Sequence, residues 1–135
     1  MPHLQKVLLV DDNPIDNFVS RKMVEKAGIA DEICTLHSGM EALEYLKNYQ
    51  ENGLPDVIFL DINMPIMSGF DFLDEFVALD PAIHAHCRIF VLSSSTDSLD
   101  LERANQNPFV QKMITKPLEF GFLRTLGQAV SFETL

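Results

Sequence analysis

Acidic side chains directly follow two of the most apolar segments of the sequence. The segment KVLLVDDN places Asp11 and Asp12 after four apolar residues, and DVIFLDINMPIMSG places Asp61 after a second apolar run. Carboxylates crowded at the end of a buried strand repel one another, and a shared cation or proton relieves the repulsion. Because no His or Cys accompanies these carboxylates, they suit a hard cation, of which Mg²⁺ fits best.

Two further apolar runs end in side chains that can contact a phosphoryl group. The run IFVLSSS reaches its first hydroxyl at Ser93, and the segment ITKP contains Lys116 just before a proline. A lysine ammonium attracts one phosphoryl oxygen, and a serine hydroxyl can hydrogen-bond another. Such groups stabilise the charge that spreads over a transferring phosphoryl group. The best-placed acceptor is Asp61, which would form an aspartyl phosphate, while Asp11 and Asp12 would hold the metal.

Short apolar runs alternate along the chain with longer amphipathic segments. The apolar runs predict five strands, over residues 6–10, 32–36, 56–60, 88–92 and 109–115. The amphipathic segments predict five helices. Asn13 and Pro14 are typical of the start of the first helix. Ser38 and Glu41 have capping-box spacing for the second, and Asp97 is the candidate cap of the fourth.

The predicted first helix carries an apolar stripe that we expect to face the core. Its members are Ile15, Phe18, Val19, Met23 and Ala27. Their spacing is that of one face of an α-helix, which usually packs against the rest of the domain. Gly28 follows the stripe and is typical of a helix end.

Strands that alternate with helices predict an α/β fold, a parallel sheet covered by helices on both faces. The strands that end at Val10, Leu60 and Leu92 are almost wholly apolar, as central strands are. The second and fifth strands contain polar residues and are expected at the edges. Right-handed crossovers then favour the order 2-1-3-4-5, a doubly wound, flavodoxin-like sheet. In such a sheet, ligands bind outside the carboxyl ends of the strands.

Length, charge and cysteine content restrict the classes of protein. We expect one domain over residues 1–135, with its core at about 5–130. The net charge of −10 disfavours direct binding to nucleic acid or to an anionic membrane. No apolar run is long enough to span a membrane, and no nucleotide-binding glycine motif is present. Two widely spaced cysteines, Cys34 and Cys87, favour reduced thiols in a cytoplasmic protein.

The sequence resembles the receiver domain of two-component response regulators. VLLVDDN, PDVIFLDINMPIMSGFDFL, IFVLSSS and ITKPLE carry the resemblance in that order. It implies that Asp61 is the phosphoacceptor, Ser93 the switch hydroxyl and Lys116 the phosphate contact. The Mg²⁺ ligands that it implies are Asp11, Asp12, Asp61 and the backbone carbonyl of Asn63. A cis Lys116–Pro117 bond is also expected from the family.

The resemblance further implies a signalling protein rather than a turnover enzyme. Its phosphoryl donor would be a sensor histidine kinase or a histidine phosphotransfer protein. Because no output domain follows the fifth predicted helix, we expect a stand-alone receiver that signals through protein contacts or passes the phosphoryl group on in a relay. The expected contact surface comprises the predicted fourth helix, fifth strand and fifth helix.

One position departs from the family pattern, and the identity of the switch hydroxyl has an alternative. Family members usually have an aromatic switch residue three positions before the lysine of KP, and here that position is Met113. In the SSS run, Ser93 is the expected switch hydroxyl because it directly follows the apolar run, and Ser94 is the alternative.

The same residues allow other interpretations. A lone Asp after a strand is usually a turn or cap residue, and Asp12 could cap the first helix in that way. A haloacid-dehalogenase-like phosphatase would need an acid two positions beyond its nucleophile, where this sequence has Asn13 and Asn63. HAHC, residues 84–87, is interpreted as a loop into the fourth strand rather than a zinc site. The remaining alternative is a receiver-like interaction module that works without phosphorylation.

Overall fold

The structure, a computed structural model, describes residues 4–94 and 97–133, with side chains described as far as residue 128. The strands in this part of the chain are β1 (Leu4–Val10), β2 (Ala30–Leu36), β3 (Val57–Asp61), β4 (Arg88–Ser93) and β5 (Val110–Thr115). The helices are α1 (Pro14–Ala27), α2 (Gly39–Lys47), α3 (Tyr49–Asn52), α4 (Gly69–Phe76), α5 (Pro81–His86), α6 (Ser98–Gln106) and α7 (Phe120–Glu133). None of these helices has the length and apolar character needed to cross a membrane.

The five strands form one parallel sheet in the order β2-β1-β3-β4-β5. Val10 pairs with Leu36 on one side and with Leu60 on the other, and Leu60 in turn pairs with Val91. This register brings the carboxyl ends of the strands to one edge of the sheet. The predicted fold class and strand order are therefore confirmed, with β2 and β5 at the edges.

Helices cover both faces of the sheet, so that the central strands are buried on both sides. In β3, Ile58 and Leu60 pack in one core cluster with α2 and α4, while Val57 and Phe59 pack in a second cluster with α1 and α7. All four side chains are fully buried. Burying a side chain of this size stabilises the fold by about 1.5–3 kcal/mol. The strand ends that carry the polar residues thus rest on a rigid apolar support.

Two short helices, α3 and α5, were not predicted from the sequence. α5 occupies most of the HAHC segment, so the prediction of a loop there was wrong. Asp80 caps α5 through its side chain, and Pro81 occupies the first turn. Nε2 of His84 lies 2.6 Å from a backbone carbonyl of α4, and Nε2 of His86 lies 2.7 Å from the carboxylate of Asp56. Both histidines therefore have partners within the fold.

The inward face of α1 also differs from the predicted one. Ile15 and Phe18, both in the predicted apolar stripe, are 72% and 60% exposed. Asn17 and Ser20 are buried instead, together with Val24 and with Ala27, the last residue of the predicted stripe. The physical reason is that the side chain of Asn17 hydrogen-bonds the carboxyl ends of β1 and β2, which requires its face of the helix to turn inward.

Candidate functional site

The predicted site residues come together at the carboxyl edge of the sheet. Asp11 directly follows β1, Asp61 and Ser93 are the last residues of β3 and β4, and Lys116 directly follows β5. Asp11 and Asp61 are each only 3% exposed, and Ser93 is fully buried. Asp12 is exposed at the rim of the site. Four strand ends thus contribute polar groups to one place, as the apolar runs predicted.

The start of α1 holds Asp11 in position. The backbone N–H of Asn13 donates to Oδ1 of Asp11 at 2.9 Å. The amide Nδ2 of Asn17 donates to the backbone carbonyl of Asp11 at 2.9 Å and to that of Leu36 at 3.1 Å. Asn13 rather than Asp12 caps the helix. Asn17 was not predicted to belong to the site. The signal in the sequence is a polar residue four positions after a helix cap, on the side of the helix opposite the apolar stripe.

Asp11, Asp12 and Asp61 can offer carboxylate oxygens that all lie within 4.8 Å of one another. Mg²⁺ binds oxygen ligands at about 2.1 Å, so opposite ligands of one ion lie about 4.2 Å apart. Small side-chain rotations would therefore bring these oxygens to the spacing that the ion requires. Hard carboxylate donors, two of them buried and one open to water, fit Mg²⁺ with part of its hydration shell retained.

The buried carboxylate of Asp61 is held at a high free energy when it is ionised. Burial raises the pKa of Asp61 to about 6. The backbone N–H of Asn63, which donates to Oδ1 at 3.1 Å, opposes this rise, and the neighbouring charge of Asp11 adds to it. The positive charge of Lys116, like the N–H of Asn63, lowers the pKa of Asp61. Above about pH 6 the side chain is thus an ionised, poorly solvated carboxylate, which a cation or an electrophile would stabilise.

Lys116 lies among three carboxylates. Its Nζ is 2.6 Å from Oδ2 of Asp11, 2.9 Å from Oδ2 of Asp16 and 3.6 Å from Oδ2 of Asp61. Burial lowers the pKa of Lys116, but the hydrogen bonds to Asp11 and Asp16 and the negative charge around it outweigh burial, so the pKa lies above its ordinary value. Asp16 was not predicted to belong to the site. In the sequence, Asp16 is only an acidic residue in the first turn of a predicted helix. Acidic residues are common there because the helix dipole favours them, so this position does not indicate a site.

The two candidate switch serines differ in their environment. Ser93 is buried at the end of β4, and its backbone carbonyl accepts from the N–H of Lys116 at 2.8 Å, whereas Ser94 is exposed. Met113 is half-buried on β5 and lines a cavity of about 260 Å³ with Lys112 and Phe122. The cis Lys116–Pro117 bond expected from the family is present.

Gly69 is needed for the close approach of α4 to the end of β3. Its backbone N–H donates to the carbonyl of Ile62 at 3.1 Å. A Cβ at this position would lie 2.7 Å from both the carbonyl oxygen of Asp61 and Cα of Ile62. This glycine ends the segment DINMPIMSG, and no role was predicted for it from the sequence. Glycine is required at this position because its backbone packs directly on the backbone of Asp61 and Ile62.

The fold and the site together define a class, the receivers of two-component signalling. The sequence profile of the response regulator receiver domain matches residues 7–126, and the chain belongs to this family. It is 32% identical over 120 residues to the probable methanogenesis regulatory protein FilR2 of Methanothrix harundinacea, covering 87% of this chain and 76% of FilR2. A two-component response regulator from Cytophaga hutchinsonii superposes with a TM-score of 0.88 at 30% identity, covering 95% of this chain and 97% of that one.

Further relatives, one of them much longer, carry the same domain. The phosphorylated cyanobacterial phytochrome response regulator RcpA superposes with a TM-score of 0.74 at 29% identity, covering 95% of this chain and 91% of RcpA. The sensor histidine kinase CheAY of Helicobacter pylori is 30% identical over 120 residues, which are 89% of this chain but 14% of CheAY. This chain is a receiver domain. Receiver domains are signalling modules that interact with histidine kinases and phosphotransfer proteins.

Proposed function

We propose that this protein accepts a phosphoryl group on Asp61 from a phosphohistidine of a sensor histidine kinase or a histidine phosphotransfer protein. The observation that carries the proposal is the environment of Asp61, a buried carboxylate beside Asp11 and within 3.6 Å of the Lys116 ammonium. The solved relative RcpA is phosphorylated, which supports the same chemistry at the level of the family.

In the proposed transfer, a carboxylate oxygen of Asp61 forms a bond to phosphorus while the bond from phosphorus to the donor imidazole nitrogen breaks. The nitrogen leaves with the electron pair of that bond and is protonated by solvent. Asp61 must be ionised to attack, a condition that a pKa of about 6 satisfies at neutral pH. The Lys116 ammonium would follow the negative charge from the carboxylate to a phosphoryl oxygen.

The residues that would hold Mg²⁺ are Asp11, Asp12, Asp61 and the backbone carbonyl of Asn63. Bound there, the ion would neutralise part of the negative charge that the phosphoryl oxygens bring to an already acidic site. Asp11 and Asp61 supply buried oxygens, and the exposed carboxylate of Asp12 completes the cluster towards solvent. The chain itself thus supplies both the acceptor and the ligands for the cofactor.

Phosphorylation would change the equilibrium between two conformations, which partner proteins distinguish. The hydroxyl of Ser93 would hydrogen-bond a phosphoryl oxygen, with Ser94 as the alternative, and Met113 would repack in place of the usual aromatic residue. We place the partner surface on α6, β5 and α7, and a relay to a further histidine is the other route of output. The protein would be a cytoplasmic signalling domain that is phosphorylated and slowly dephosphorylates, not an enzyme that releases a product.

Intact mass spectrometry after incubation with a small acyl phosphate and Mg²⁺ tests the proposal. One phosphoryl addition is expected in the wild type, and none in Asp61→Asn or without Mg²⁺. Lys116→Ala should still be phosphorylated to some extent but should not show the conformational response of the wild type by NMR. If a folded wild type accepts nothing from either the acyl phosphate or a phosphorylated histidine protein, the interaction module that works without phosphorylation is the better assignment.

A further inference from the structure

Lys116 has a closer partner than the acceptor it is expected to serve. Its Nζ lies 2.9 Å from Oδ2 of Asp16, compared with 3.6 Å from Oδ2 of Asp61. The third partner, Asp11, belongs to the proposed metal ligands, whereas Asp16 has no role in the function proposed above. A lysine ammonium has three protons, and two of them are directed to Asp11 and Asp16.

The position of Asp16 is set by the start of α1. Asp16 lies in the first turn of the helix, and its backbone N–H donates to the side chain of Asn13 at 3.1 Å. The backbone N–H of Asn13 donates in turn to the carboxylate of Asp11. The helix start is therefore tied to the acidic cluster. The carboxylate of Asp16 is 40% exposed, while the Lys116 side chain is only 14% exposed.

We propose that Asp16 is a positioning residue that acts through Lys116, and that it competes with the phosphoryl group on Asp61 for the lysine ammonium. This inference rests on the proposed function. Asp11 and Asp61 are both proposed metal ligands, so Asp16 is the one of these three carboxylate partners of Lys116 that the metal would leave uncoordinated. The strength of the Lys116–Asp16 ion pair then determines how readily the ammonium moves the short distance to a phosphoryl oxygen. Asp16 thereby lowers the stability of the phosphorylated conformation relative to the resting one.

The binding of beryllium trifluoride, a tetrahedral mimic of a phosphoryl group on a carboxylate, measures this competition. The experiment uses saturating Mg²⁺ and isothermal titration calorimetry. Asp16→Asn should bind the mimic about two- to fivefold more tightly than the wild type, the effect expected for losing one partly exposed ion pair. Asp16→Glu, which keeps the charge and can still reach the lysine, should stay close to the wild type.

Two controls separate competition for Lys116 from a general effect of charge. Glu25→Gln removes the same charge from the last turn of α1, where Glu25 pairs with Arg21 and Lys22, and should leave the affinity unchanged. In a Lys116→Met background, Asp16→Asn should not change the affinity for the mimic, because the ammonium for which Asp16 and the mimic compete is absent.

The outcomes distinguish the inference from the function on which it rests. If Asp16→Asn raises the affinity for the mimic equally in the Lys116→Met background, the negative charge of Asp16 acts on the mimic directly and not through Lys116. That result would overturn the inference. Unchanged or weaker binding by Asp16→Asn, in a wild type that binds the mimic and is phosphorylated, would overturn the inference alone. A wild type that neither binds the mimic nor accepts a phosphoryl group would overturn the proposed function as well.

Discussion

Replacing Asp61 by asparagine is expected to stabilise the folded protein in metal-free buffer, and to do so more at neutral than at acidic pH. The neutral amide has nearly the same shape as the carboxylate, and its oxygen can still accept from the N–H of Asn63. The substitution removes an ionised group that is only 3% exposed and lies beside the carboxylate of Asp11. Asp61, the proposed phosphoacceptor, is therefore expected to lower the stability of the fold.

The size of the effect follows from the pKa of Asp61, which burial and the charge of Asp11 raise from 3.8 to about 6 against the opposing effects of Asn63 and Lys116. The folded form keeps its proton over a pH range in which the unfolded form has lost it. The stability that this carboxyl contributes is therefore present below pH 3.8 and is lost as the pH rises through about 6. At about 1.4 kcal/mol per pH unit, the loss reaches about 3 kcal/mol at neutral pH and about half of that near pH 5.

Urea unfolding followed by circular dichroism, with a chelator present, measures the difference at about pH 7.5 and pH 5. The free energy of unfolding of Asp61→Asn should exceed that of the wild type by up to about 3 kcal/mol at the higher pH and by about half as much at the lower pH. Asp12→Asn is the matched control, and a smaller gain is expected because water already solvates that exposed carboxylate. An equal gain at both pH values, or a loss of stability in Asp61→Asn, would refute the reasoning.

Two further substitutions test the backbone around the site. Gly69→Ala should lower the free energy of unfolding by more than about 1 kcal/mol and slow phosphorylation, since its Cβ would meet the backbone of Asp61 and Ile62 at 2.7 Å. A Cβ at Gly121 would meet no heavy atom within 4 Å beyond its chain neighbours and the adjacent backbone of its own helix. Gly121→Ala should therefore be neutral or stabilising, and an equal loss of stability in both variants would contradict this reasoning. Ile66→Asn should raise Tm by a few degrees, because Ile66 has a φ of 70° and a fully exposed side chain, and a lower Tm would contradict it.

The local pattern of the sequence was sufficient to predict the sheet. Apolar runs without alternation indicated buried parallel strands, and polar residues in the second and fifth strands indicated the edges, as observed. The same logic failed for the first half of α1, where Ile15 and Phe18 of the predicted stripe face solvent, although Ala27 at the end of the stripe is buried. Asn17 decides the orientation of α1 through hydrogen bonds to two strand ends, and no hydrophobic pattern reports such bonds. The short helix α5 was missed because six residues carry too little periodicity to be recognised.

For the site, the sequence by itself determined which groups meet. Each polar residue directly follows or ends an apolar run, and parallel strands bring their carboxyl ends to one edge, so Asp11, Asp61, Ser93 and Lys116 had to lie there. Only the tertiary structure decided the partners of Lys116 and the raised pKa of Asp61. Both depend on distances of a few ångströms and on burial, between residues that are up to 105 positions apart in the chain. Electrostatic energies change steeply over such distances, whereas the sequence pattern specifies only which edge of the sheet a residue occupies.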